Sequence, residues 1–209
     1  MLELAVINYA LLFMMLVQTN EPEPPMVLKA KIDGVAHDIE AGRTLQIKQN
    51  VPMSFALQIV PTGQRLFRYG GMSFQYPAEM RFETDHAPGC SNWSLLGRYA
   101  DLDIYSTPLT ARRFLEIYVE NFVQETEDRQ QRPKLQQSRL QLDSATVTTW
   151  QSRIQLTDDD FHEFFVVELP PREGEVRLLM FDVEYEGDSV SQESQTLKST
   201  VLQSLKFEG

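Results

Sequence analysis

From Thr146 to Phe207 the apolar residues keep a period long enough to dictate a fold class. They follow strand spacing over Val147 to Leu156, Phe161 to Leu169 and Val176 to Tyr185, runs rich in aromatic and β-branched residues. Thr157-Asp158-Asp159-Asp160 breaks the first run from the second, and Pro170-Pro171-Arg172-Glu173-Gly174 ends the second. Proline cannot donate to a ladder, and glycine permits the turn. In the third run Leu178 and Met180 alternate with Leu179 and Phe181, so both faces are apolar and both need cover. After Gly187-Asp188, Ser189-Val190-Ser191-Gln192 reads as a capping box that opens a helix. Val190, Ser194, Leu197 and Val201 then recur at helical spacing, and Leu205 and Phe207 flank Lys206 as a short closing strand. A three-strand meander, a helix and a last strand make an α+β chain whose antiparallel sheet is shielded by helices.

Upstream, Phe67 to Pro77 reads as strand around Gly70-Gly71, followed by strands over Glu79 to Glu83, Trp93 to Tyr99 and Asp101 to Tyr105. Thr107 is the expected N-cap of a long helix, with Pro108 at its first position. Ala111, Phe114, Leu115, Tyr118, Val119 and Phe122 form its apolar stripe, and Arg112 and Glu116 stand at i,i+4 on the other side. Leu135 to Leu142 leads into the meander.

The chain before residue 65 has a different texture. Met26 to Val60 reads as short strands, with Asp33-Gly34 as a hairpin turn and further candidates at Ala36–Ile39, Thr44–Lys48 and Met53–Val60. This predicts a small N-terminal β extension over 26–64, linked through Pro61-Thr62-Gly63 to a main domain over 65–209. In residues 1–25, Leu4 to Val17 is almost wholly apolar and precedes a proline-rich linker. It is too short to cross a bilayer, which takes about 20 residues, but has the length of a signal-peptide core. Glu3 stands where a basic residue is usual and no A-x-A cleavage site is visible. Export to a periplasmic or secreted location is the expectation; a packed N-terminal helix is the alternative.

Met72-Ser73-Phe74-Gln75-Tyr76-Pro77, several strands, one long helix, the meander and the ending from Ser194 through Phe207 together resemble the PsbP-like superfamily. That group includes PsbP, the Ran-binding Mog protein, DcrB and the Eag-type effector chaperones. The resemblance covers about 66–207. It implies an α/β/α sandwich, an antiparallel sheet flanked by helices on both faces, and a role in binding other proteins. It brings no shared catalytic motif.

The residues themselves point to no chemistry. There is no nucleophile elbow, P-loop, dinucleotide fingerprint or H-E-x-x-H. His37, His86 and His162 are far apart, and Cys90 is the single cysteine, so neither an intrachain disulfide nor a cysteine zinc site can form. Asp158, Asp159, Asp160 and His162 are the one weak metal candidate; without a calcium-loop pattern they read first as a solvated turn. Trp93 and Trp150 are potential partner anchors, with burial in the covering layers the more ordinary fate. The net charge is -11, and residues 157–209, with 4 basic and 13 acidic residues, carry most of it. Such a field repels nucleic-acid backbones and admits a cationic partner.

The expectation is therefore a non-catalytic protein-binding or assembly module without a cofactor. No transmembrane helix is expected, though peripheral association with a membrane is compatible with the sequence. An enzyme whose site assembles only in three dimensions, and a cation-binding acidic protein, are the alternatives.

Overall fold

The computed structural model describes residues 21–32, 34–39, 57–87, 90–125, 134–142, 145–155, 160–172, 175–186 and 189–207. Its first sheet contains β1 (Met26–Ile32), β2 (Val35–Ile39), β3 (Leu57–Tyr69), β4 (Met72–Pro77) and β13 (Lys206–Phe207), in the order β13-β4-β3-β1-β2. The second contains β5 (Arg81–Ala87), β6 (Cys90–Leu96), β7 (Ala100–Thr107), β8 (Gln136–Gln141), β9 (Thr146–Gln155), β10 (Asp160–Arg172) and β11 (Glu175–Glu186). Their order is β5-β6-β7-β11-β10-β9-β8, and β12 (Ser189–Val190) pairs with β11. Every described pairing is antiparallel. Two helices complete the described chain, α1 (Ala111–Glu125) and α2 (Gln192–Ser204).

The expected meander is the centre of the larger sheet. β10 and β11 pair in register from Phe161↔Tyr185 to Leu169↔Arg177 and are apolar on both faces. Phe164, Val166, Leu178 and Met180 point to one side, where the buried stripe Ala111, Phe114, Leu115, Val119 and Val123 of α1 covers them. Phe165, Val167, Leu169, Leu179, Phe181 and Val183 point to the other side. There they meet Phe67, Met72, Phe74 and Tyr76 of β3 and β4, together with Leu197, Val201 and Leu205 at the α2 end of the chain.

This arrangement corrects the expected α/β/α sandwich. The protein is mostly β, and a second sheet shares the far face of the first with α2. The physical cause is a tight turn. Gly70 and Gly71 both have positive φ, 54° and 73°, so β3 doubles back onto β4 instead of joining the strands that follow. β4 then becomes the seat of α2: β13 pairs with Met72 and Ser73, and the Gln75 amide donates to the Ser204 hydroxyl at 2.7 Å. The boundary placed at 64/65 falls inside β3, which hydrogen-bonds β1 on one side and β4 on the other. The expected hairpin joins β1 to β2, with Ile32 opposite Val35 and Gly34 at φ 84°. The strand expected at Thr44–Lys48 and the apolar run from Leu4 to Val17 lie outside the described residues.

Both helix starts differ from expectation. α1 begins at Ala111 and not at Pro108: the Thr110 carbonyl accepts from Phe114 N at 2.9 Å, while the Thr107 hydroxyl accepts from Leu109 N and closes only a turn. α2 is capped by Ser191, whose hydroxyl accepts from Ser194 N at 3.0 Å, two residues after the expected Ser189. β10 also runs through Pro170 and Pro171, because the pairing skips there and resumes at Arg172↔Glu175.

Two polar ties join the layers. Arg177, a buried cation in β11, donates to the carbonyls of Pro170 and Gly70 and so bridges the two sheets. The segment before β1 is held as a strap. Glu21 accepts from Trp93 Nε1 at 2.9 Å and lies 3.0 Å from His86 Nε2, Glu23 pairs with Arg65 at 2.8 Å, and the Pro25 carbonyl accepts from Leu66 N.

Candidate functional site on the helix-covered face

Side chains on one face of a strand recur every second residue, and directly opposed residues of an antiparallel ladder share a face. The face of β7, β10 and β11 beneath α1 therefore changes character along its length. Tyr105, Phe164, Leu178 and Met180 are apolar and lie under the helix. Continuing the same parity brings Asp103 and Asp101 on β7, Asp182 and Glu184 on β11, and His162 on β10. Asp101 is paired directly with Asp182, and His162 with Glu184. Phe122 near the end of α1 places its ring 4.8 Å from the His162 ring, so the histidine marks where apolar cover gives way to charge.

His162 Nδ1 is 3.0 Å from Asp182 Oδ1, and Nε2 is 3.8 Å from Glu184 Oε1. Burial works to lower its pKa; the Asp182 hydrogen bond and the charges of Asp182, Glu184 and Asp101 outweigh it, so the net shift is upward. Asp103 is buried, and burial pushes its carboxyl up to about 7 against the opposing hydrogen bond that Ser94 donates at 2.5 Å. Asp101 and Asp182 raise it further. Burial raises Asp101 too, with Asp182, Glu184 and Glu193 adding to the effect, although Gly97 N donates to its Oδ1 at 3.0 Å.

The same face continues onto β5 and β6, where Asp85 opposes Asn92. The buried Oδ1 atoms of both residues have no hydrogen-bond donor among the described residues. Buried acceptors without donors, and carboxyls whose pKa burial and like charge raise, mark this part of the sheet as short of compensating positive charge.

A displaced carboxyl pKa is also what an acid–base catalyst needs. Among the described residues the serine and the cysteine nearest to these carboxyls are not placed as activated nucleophiles. Ser94 on β6 and His162 on β10 are three strand spacings apart, roughly 14 Å, beyond any hydrogen bond. Burial, then the charge of Asp85, pushes the Cys90 thiol up to about 11, which disfavours the nucleophilic thiolate.

Of the weak metal candidates, Asp158 and Asp159 lie outside the described residues, and Asp160 is placed by its backbone pairing with Glu186. His162 turns to Asp182 and Glu184 across the sheet. Among the described residues no group of three or more His, Cys, Asp or Glu is arranged to hold a metal ion. Trp93 is buried and Trp150 half-buried, with the Arg112 guanidinium 5.9 Å from its ring centre. The cluster of Asp101, Asp103, Asp182 and Glu184 was not singled out from the sequence. Its signal is present: Asp101-Leu102-Asp103 and Asp182-Val183-Glu184 put carboxylates at core-facing parity at the ends of apolar strands. Among the described residues no helix is long and apolar enough to cross a membrane. The chain matches no known family profile and no curated protein sequence.

Proposed function

We propose that this chain is a non-catalytic binding module that docks a basic segment of a partner protein on the acidic end of the β7–β11–β10 face. The observation that carries the reading is the convergence of Asp101, Asp103, Asp182 and Glu184 at one end of the sheet face, with His162 beside them as a base whose pKa they raise. Lysine or arginine side chains would supply the opposing charge at exposed Glu184 and at the edge of Asp182, and the long-range field would speed their approach. The charge distribution argues in the same direction against nucleic acid.

Kinship with the PsbP-like superfamily belongs to the same proposal. What supports it is that the two segments carrying the resemblance meet in space, β13 pairing with Met72 and Ser73 of β4. A periplasmic or secreted setting is proposed from the Leu4–Val17 run alone.

The test is fluorescence anisotropy with a labelled lysine/arginine-rich peptide, at low salt and at 300 mM salt (about a 6 Å screening length). The double variant D182N/E184Q should lose at least tenfold in affinity, while D38N/E120Q, which removes the same charge elsewhere, should change little. Equal losses in both variants would reduce the effect to net charge and remove the site.

A further inference from the structure

A cleft of about 400 Å³ opens where the β4–β5 turn, the β6–β7 turn and the start of α2 converge, with Met80 and Leu96 as apolar lining and Glu79, Arg81, Arg98 and Glu193 as its charged residues. That size lies within the range of small-ligand sites. One group in it is already engaged in recognition. Glu193 Oε1 accepts from the backbone amides of Arg98 at 2.6 Å and Tyr99 at 3.2 Å. Two successive amides converging on one oxygen form a nest, a backbone arrangement that selects anions. Gly97 belongs to the same construction: a Cβ there would strike the Glu193 carboxylate and the Ala100 carbonyl, so the turn can approach Glu193 only with glycine at this position.

Two arginines line the same cleft. Arg98 lies over the Tyr99 ring, 4.9 Å from its centre, and Arg81 is held at 3.0 Å by Glu83 from the same strand. In a chain of net charge -11 the cleft is locally balanced, its two guanidinium groups set against Glu79 and Glu193, and the pair of convergent amides adds donors to that lining. Its donor set suits a carboxylate, which a guanidinium can grip in bidentate fashion. Met80 and Leu96 suit an apolar body attached to it.

We propose that the cleft is a carboxylate-recognition site and that Glu193 is its built-in occupant, exchanging with an incoming ligand for the Arg98 and Tyr99 amides. The ligand class is a carboxylate on an apolar body, as at the C-terminus of a polypeptide or the head of a fatty acid. When Glu193 leaves the nest, the start of α2 retains Ser191 as its cap and the Ser194 hydroxyl bond to the Tyr99 carbonyl, so exchange need not unwind the helix. The inference extends the binding-module reading to a second surface. The two sites adjoin, since Gly97 N donates to Asp101 and the Glu193 charge reaches it, but they take ligands of opposite charge, so the cationic and carboxylate probes tell their failures apart.

The experiment is isothermal titration of the full chain with three probes: a tripeptide ending in Leu-Val with a free carboxylate, the same peptide amidated, and octanoate. Binding of a free carboxylate with loss of at least tenfold for the amide is the expected result, and preference between peptide and octanoate identifies the source. Glu193→Ala should tighten the carboxylate probe at least tenfold by removing the competitor, and Arg98→Ala and Arg81→Ala should each weaken it at least tenfold. Arg81 is mostly exposed, so its replacement tests the site in wild-type background even if Glu193→Ala fails to fold. Equal binding of acid and amide, or no binding of either free carboxylate by wild type and a folded Glu193→Ala variant, would overturn the proposal. Indifference to both arginine replacements would overturn it as well.

Discussion

Replacing Asp103 by Asn should stabilise the folded protein at pH 8 and should do so by less than half as much at pH 5. The carboxyl lies on β7 with 9% of its surface exposed and takes a hydrogen bond from Ser94. Its pKa rises from an ordinary 3.8 to about 7 on folding. The folded state therefore binds this proton more tightly than the unfolded state does. Below pH 3.8 the group is protonated in both states and costs nothing; between there and about 7 stability falls as pH rises; above 7 the full penalty is present. Three pH units at about 1.4 kcal/mol each give a penalty on the order of 4 kcal/mol. Asn keeps an oxygen for the Ser94 hydroxyl and never ionises. Urea denaturation of both proteins from pH 4.5 to pH 8.5 measures the effect: wild type should lose stability across the interval, and the variant should lose less by about 2–4 kcal/mol at the alkaline end. Parallel pH profiles would refute the argument, because they would mean that Asp103 ionises as easily in the folded chain as in the unfolded one.

His162 adds a slope of the same sign from a different mechanism. Its pKa is raised in the fold, so its contribution is fully present below the unfolded value near 6.5 and disappears as pH rises through the higher folded value; the His162→Gln variant should lack that component in the same titration. Phe114→Ala should cost about 3–5 kcal/mol in denaturant unfolding, since the ring is buried against the β7–β11 face. Phe114→Asp should abolish the folded circular dichroism. Gly71→Val should lower stability by about 1–3 kcal/mol, because a β-branched side chain is forced into positive φ at the hairpin that turns β3 onto β4. A loss under 0.5 kcal/mol there would contradict the turn geometry.

The parts legible in the sequence are those with one period and local punctuation. The β9–β10–β11 meander, the α1 stripe and the buried Ser194, Leu197 and Val201 of α2 follow from spacing alone. What spacing cannot encode is which layer receives an apolar face. Phe67, Met72, Phe74 and Tyr76 have the same strand pattern whether they extend the main sheet or pack across it, and the two positive-φ glycines between them decide the matter. The helix starts were misplaced because Thr107, Thr110, Ser189 and Ser191 offer equivalent hydroxyls a few residues apart, and tertiary packing selects among them. The acidic cluster is hidden in the sequence for another reason. Its four carboxylates come from two strands some 80 residues apart in sequence, and only the β7–β11 register brings them together.

The strap formed by Glu21 gives the molecule an optical reporter of its own amino-terminal attachment. Trp93 is enclosed by Phe67, Tyr69 and His86, and its indole hydrogen is committed to Glu21. Detaching that segment would expose one ring edge to water and shift its emission to the red while the sheets stay intact. Trp150, on β9 beside Arg112, would keep its colour and serve as the internal reference.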